Sequence, residues 1–104
     1  MDLVVEAYKF TRNFPKEELY GLTSQIRRSV ISIPSNISEG AARNSEKEFI
    51  KFLYISLGSS AELETQIMIA ERLGYLKGIE SILNEILSIK KMLNGLISSL
   101  RKRI

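Results

Sequence analysis

The sequence predicts an all-α protein: an up-and-down antiparallel four-helix bundle forming one domain over residues 1–104. Three observations predict it. Apolar residues recur at three- and four-residue spacing through four separate stretches, the period of a helix with one buried face. No stretch of any length alternates polar and apolar residues, as a half-buried strand would. The connectors between the stretches are short, which makes consecutive helices antiparallel neighbours. Apolar residues make up 44% of the chain, enough to supply one core at this length.

The first helix runs from Asp2 to about Arg12, with Val4, Ala7, Tyr8 and Thr11 on one face. It is short, and isolated helices below about 12 residues are marginal, so packing must hold it. Asn13-Phe14-Pro15 ends it, because the residue before a proline avoids the helical region. Pro15 suits the start of the next helix. Glu17 and Glu18 then fall in the first turn, where acids complement the helix dipole.

The second helix runs from about Lys16 to Arg43, with Leu19, Leu22, Ile26, Val30, Ile33, Ile37, Gly40 and Ala41 as its core series. Pro34 stands inside that series. A proline there removes one backbone hydrogen bond and crowds the carbonyl four residues back, at about 3 kcal/mol. The register does not slip across Pro34, so one helix kinked at Pro34 is expected, not two. Pro34 falls off the core stripe. The carbonyl of Val30 loses its donor, and Ser32, Ser35 and Ser38 are near enough to help satisfy it.

Ser45 followed by Glu48 is a capping box before an apolar run. The third helix therefore extends from Glu46 to about Leu73, with Gly74 closing it as a C′ glycine. Phe49, Phe52, Ser56, Ser59, Ser60, Leu63, Ile67 and Ala70 form its core face. Ile50, Tyr54, Leu57, Ala61 and Met68 form a second apolar stripe, about 140° from the first at about 100° per residue. A helix apolar on two sides is buried on two sides. The second stripe is expected to be a homo-oligomer interface; the other reading is a central helix touching two neighbours of its own chain. The fourth helix runs from about Ile79 to Arg103, with Ile79, Ile82, Ile86, Ile89, Leu93, Leu96 and Leu100 as an a/d seam widened by Leu83, Leu87 and Ile97.

Composition bears on function mainly by what it lacks. There is no histidine and no cysteine. The commonest general base, the commonest metal ligand and all thiolate chemistry are missing, so no enzyme, cofactor or metal is expected. No apolar run is long enough to span a bilayer, and the N-terminus lacks the basic region of a signal peptide, so a cytoplasmic protein without membrane contact is expected. The net charge of +3 resides in the C-terminal segment, where Lys90, Lys91, Arg101, Lys102 and Arg103 outnumber Glu80 and Glu85. Such an end attracts nucleic acid or simply complements a helix dipole.

On the second helix, Arg28, Ser32, Ser35, Glu39 and Arg43 stack on one polar face beside Asn36. Three readings compete. One is a solvated face with Glu39 and Arg43 as an i,i+4 pair. Another is a structural network in which Asn36, Glu39 and Glu62 satisfy groups exposed near Pro34. The third is a phosphate-binding surface of Arg27, Arg28 and Arg43, continued by Lys47 and Lys51. Glu62 and Glu64 point to different faces, which makes them a poor acid–base pair.

Two runs, "FPKEELYGLTSQIRRSVISIPSNISEGAAR" and "SEKEFIKFLYISLGSSAELETQIMIAERLGYL", carry a resemblance. The chain resembles the bacterial four-helix-bundle family named for 23S rRNA intervening sequences. The likeness rests on Phe14, Pro15, Glu18, Tyr20, Leu22, Gln25, Arg27, Arg28, Ser32–Pro34, Asn36, Ile37, Glu39, Gly40, Gly58, Ser59, Glu62, Leu63 and Gly74-Tyr75, and covers about Leu3 to Leu100. It departs in two places: the first helix begins about two turns late, and Leu57 stands where the family pattern carries Arg or Lys. Members are similar to the accessory variability determinant of diversity-generating retroelements, a five-subunit ring that binds nucleic acid and a reverse transcriptase. The resemblance therefore implies a four-helix bundle, a homo-oligomer with a pentamer favoured, and RNA, DNA or a protein as partner. A purely structural, self-associating protein or a protein–protein adaptor is the alternative.

Overall fold

The computed structural model describes residues 2–104. Four α-helices follow one another: α1 (Asp2–Thr11), α2 (Leu22–Ala41), α3 (Glu46–Arg72) and α4 (Glu80–Arg101). A single 3-10 turn over Lys16–Glu18 lies between α1 and α2. Side-chain contacts fix the directions. Thr11 on α1 meets Arg27 on α2, while Leu3 at the opposite end of α1 lines a cleft with Ile33. Ser32 on α2 meets Ser59 on α3, and Glu64 on α3 meets Lys90 on α4. Each helix thus runs antiparallel to the next, in a body 47 × 24 × 19 Å.

At α3 the predicted start and stop both act. Ser45 caps α3 by accepting a hydrogen bond from the Glu48 amide at 3.2 Å. Gly74 ends it with φ +82°, and the Tyr75 amide reaches back to the Ala70 carbonyl at 2.9 Å, the six-to-one closure of a Schellman turn.

The second helix begins later than expected, at Leu22. Lys16 to Gly21 is a turn, and Leu19 is exposed instead of buried in the core. The backbone leaves the helical region at Gly21 (φ −115°, ψ −112°), and Glu18 holds the turn. Its Oε1 accepts from the Leu22 amide at 3.2 Å and supplies the cap of α2, while its Oε2 accepts from the Tyr75 hydroxyl at 3.0 Å. Phe14 packs on the Tyr75 ring with centroids 5.3 Å apart. Phe14, Glu18 and Tyr75 thereby clamp the α1–α2 connector to the α3–α4 connector.

From Leu22, α2 runs without interruption through Pro34 to Ala41. Pro34 lines a cleft with Leu3, Val30, Ile33 and Ile89, closer to the core than its place in the pattern implies. The hydroxyl of Ser56 on α3 donates to the carbonyl of Ile33 at 2.9 Å, and Ser60 donates to Ser56 O at 2.9 Å. Ser56, Ser59 and Ser60 are buried. Their small side chains allow α2 and α3 to approach closely. The approach is tightest at Gly40, where a Cβ would lie 2.7 Å from Phe52 Cβ.

Two clusters make the core. The first joins all four helices around Ala7, Ile26, Val30, Leu63, Ile67 and Ile86. The second lies between α3 and α4 around Ile50, Leu53, Leu93, Ile97 and Leu100. The division follows from length. At about 1.5 Å per residue, α1 spans about 15 Å while α3 spans about 40 Å, so α1 flanks only one half of the bundle. Where α1 is absent, the fourth-helix seam changes. Leu96 is exposed and Ile97 takes the buried position against α3. On α1 itself, Leu3, Ala7 and Thr11 are buried, while Val4 and Tyr8 are only half-buried. Phe49 and Phe52 are half-buried, and Ile50 and Leu53 replace them in the core.

Candidate nucleic-acid interface

The basic residues fall into two groups. Arg27 and Arg28 lie in the first half of α2. Arg43, Lys47, Lys51, Arg101, Lys102 and Arg103 gather at one end of the bundle, where the α2–α3 connector meets the C-terminus of α4. The expected continuous surface of Arg27, Arg28 and Arg43 does not form. Arg43 lies two residues beyond the end of α2, fifteen positions after Arg28 and about 22 Å from it at about 1.5 Å per residue. Arg43 is also engaged locally: its Nη2 is 2.7 Å from Glu39 Oε2, and its guanidinium lies over the Phe52 ring at 4.9 Å.

At the bundle end, Arg103 pairs with Glu46 at 2.9 Å, and Arg101 donates to the Tyr54 hydroxyl at 3.0 Å. Lys47, Lys51 and Lys102 are exposed and form no ion pair among the described residues. Exposed pairs such as Arg103–Glu46 contribute at most about 1 kcal/mol, so they do not lock the cations away from a polyanion.

The first-half arginines are built differently. Arg27 lies over the Tyr8 ring at 4.6 Å, and its Nε donates to Thr11 Oγ1 at 2.9 Å. Thr11 in turn donates to the Ala7 carbonyl at 2.7 Å. This chain orients the guanidinium and leaves its two terminal nitrogens free of any protein partner among the described residues. Arg27, Arg28, Tyr8, Tyr20 and Ile31 line an open groove of about 630 Å³ along α2, and no carboxylate lines it. Tyr20 stands in solvent, 93% exposed. Nothing in the sequence marked Tyr8 and Tyr20 as site residues; their neighbourhood with Arg27 and Arg28 comes from the packing of α1 and of the turn before α2.

The residues that carry the family resemblance assemble beside this groove. Asn36 donates through Nδ2 to Ser32 O and Ser32 Oγ, each at 2.8 Å, and Ser59 Oγ donates to Ser32 Oγ at 2.8 Å. Ser32, Asn36 and Ser59 thus brace α2 against α3 next to Pro34. Glu39 and Glu62, expected in that network, are not in it. Glu39 is held by Arg43, and Glu62 lines a separate polar cavity of about 410 Å³ with Arg28, Ser29, Ser59 and Gln66. Gly40 serves the close approach of α2 to α3, while Gly58 is exposed with open space around it.

The second apolar stripe of α3 divides. Ile50 is buried in the chain's own core and Leu57 packs against the same cluster, so α4 covers that edge. Tyr54, Ala61 and Met68 remain exposed, Met68 by 50%, alongside Ile55 and Ile69. A central helix touching two neighbours therefore accounts for Ile50 and Leu57, and not for the rest. No group of three or more Asp or Glu side chains with metal-binding geometry occurs among the described residues. No helix among them is long and apolar enough to cross a membrane.

A family model described as "23S rRNA-intervening sequence protein" matches residues 1–95. A crystal structure from Bacteroides thetaiotaomicron VPI-5482, described as a protein with unknown function from the S23 ribosomal protein family, is similar to the chain. It is 33% identical, with a TM-score of 0.79 over 90% of this chain and 87% of that one. No curated protein matches.

Proposed function

The chain belongs to the 23S rRNA-intervening sequence protein family, and from that premise we propose that it is a non-enzymatic, cytoplasmic scaffold that binds RNA or DNA. The observation that carries this reading is the groove on α2. It presents Arg27 and Arg28 with exposed Tyr20, has no acid in its lining, and holds Arg27 in place through Tyr8 and Thr11. Guanidinium groups bind phosphate as planar forks, and exposed aromatics provide surfaces on which bases stack. Lys47, Lys51 and Lys102 at the bundle end form a second positive patch, which a strand of several nucleotides would have to span to reach.

The test is a mobility shift or fluorescence anisotropy titration at two or more salt concentrations. Binding should weaken steeply with salt. A single strand engaging five cations gives a slope of log K against log salt near −3.5, and Arg27→Ala with Arg28→Ala should reduce it by about 1.4. No binding at low salt would refute the reading.

A second reading, self-association, is supported by the exposed part of the α3 stripe: Tyr54, Ala61 and Met68 with Ile55 and Ile69. Exposed apolar patches of this kind mark protein–protein contacts. A pentamer is the state the family resemblance favours, and assembly without nucleic-acid binding would make the protein a structural oligomer or adaptor. Light scattering tests it: a clean monomer at micromolar concentration would remove it.

A further inference from the structure

We propose that the polar cavity between α2 and α3 receives one unstacked, amino-bearing base of a single strand, guanine best, while the neighbouring phosphates rest on Arg27 and Arg28. This rests on the nucleic-acid reading above and adds a site to it.

The groove and the cavity lie on opposite sides of one ridge of α2. Arg28 and Ser32, four residues apart, line both. A strand crossing that ridge can therefore hold a phosphate on one side and turn a base to the other. Charge decides which goes where. The groove has two arginines and no acid, whereas the cavity contains the Glu62 carboxylate. With Arg28 and Glu62 both in its lining the cavity is net neutral, so phosphate favours the groove and the cavity suits a neutral ring that offers donors. Gln66 closes the floor of the cavity and is only 7% exposed, which leaves the Glu62 carboxylate as the acceptor a ligand meets there.

Guanine fits this arrangement best. Its N1–H and N2 amino group are adjacent donors that match the two oxygens of one carboxylate, and its O6 and N7 accept from an arginine. Uracil offers one N–H and no amino group. Bases splayed from a single strand are read in this way, on their edges, with neighbours stacked on aromatic or arginine planes. The volume, about 410 Å³, lies in the range of small-ligand pockets. Its walls bring together Arg28, Ser32, Ser59 and Glu62, all singled out from the sequence without a common role.

The experiment compares an all-uridine oligonucleotide with the same oligonucleotide carrying one central guanosine, by anisotropy at low salt, with the full chain. The guanosine should tighten binding about tenfold, within the discrimination of one bidentate contact. Glu62→Ala should bring that ratio to about one and raise all-uridine affinity, because a phosphate-repelling charge is gone. Glu62 is exposed, so this variant keeps the fold. If the wild-type chain binds both oligonucleotides equally, or if the preference survives Glu62→Ala, the cavity assignment is overturned and the groove reading stands. If neither oligonucleotide binds, both fall. If Glu62→Ala changes the oligomeric state and leaves the guanosine ratio intact, the cavity belongs to a second copy of the chain, and the proposal is wrong.

Discussion

Gly40→Ala should destabilise the protein, although alanine is the better helix former. Gly40 sits in the last turn of α2, facing α3. An added Cβ would lie 2.7 Å from Phe52 Cβ, 3.0 Å from Phe49 Cδ1 and 3.3 Å from Phe49 O. Two of these three atoms are the root of a side chain and a backbone carbonyl, so no rotamer change relieves the contact. α2 and α3 must move apart. Overpacking of this kind costs about 1–3 kcal/mol, against a helix-propensity gain of at most about 1 kcal/mol that is smaller near a helix end. A net loss of about 1–2 kcal/mol lowers the melting temperature by roughly 5–15 °C in a domain of this size. Gly95→Ala is the matched control. No atom lies within 4 Å of its added Cβ, and it is exposed in the interior of α4. It should gain up to about 1 kcal/mol and melt about 4–8 °C higher. Circular dichroism melts at equal protein concentration give both numbers. A Gly40→Ala chain that melts at or above the wild type would refute the close approach of α2 to α3.

Gly58→Ala separates fold from assembly: its Cβ meets no atom of its own chain within 4 Å, so it should stabilise the monomer. Weakened self-association in light scattering would show that α3 meets another copy closely at this point. Tyr75→Phe removes the bond to Glu18 and should lower the midpoint of urea unfolding. The Glu18 hydrogen bond, then burial and the nearby acids, raise the Tyr75 phenol above its ordinary range. The folded chain thus holds that proton more tightly, and this stability disappears as pH rises through the raised value. Glu85 is raised by burial and then by Glu6 and Asp2. A raised carboxyl makes the folded state less stable as pH climbs through its titration. Glu85→Gln should therefore raise the melting temperature near neutral pH, with the gain fading at about pH 4. A gain that grows with acidity would contradict the assignment.

Much of the fold was legible because helix signals are local. The capping box at Ser45–Glu48, the C′ glycine at Gly74 and the unbroken register from Ile26 to Gly40 all act within a few residues. The late start of α2 was not legible, because Pro15 and the acids after it read as a helix opening. The break comes at Gly21, whose backbone leaves the helical region (φ −115°, ψ −112°), and Glu18 holds the turn through the Leu22 amide and the Tyr75 hydroxyl, the latter 57 positions away in sequence. The site was less legible still. Arg27 and Arg28 were visible as adjacent charges, but the role of Tyr8 as the plane beneath Arg27 depends on how α1 packs.

The sequence by itself determined the class: four amphipathic helices, antiparallel, the third apolar on two sides, because periodicity and caps are properties of neighbouring residues. The tertiary structure alone decided which apolar residues lie inside. Ile50 belongs to the core and Leu96 to the surface because α4 covers one edge of α3, while α1 is too short to cover the far half of α4. It alone decided, too, that Arg28, Glu62 and Gln66 share one cavity. That convergence depends on the register of α2 against α3, and the register is set by the small residues Gly40, Ser56, Ser59 and Ser60 at their contact.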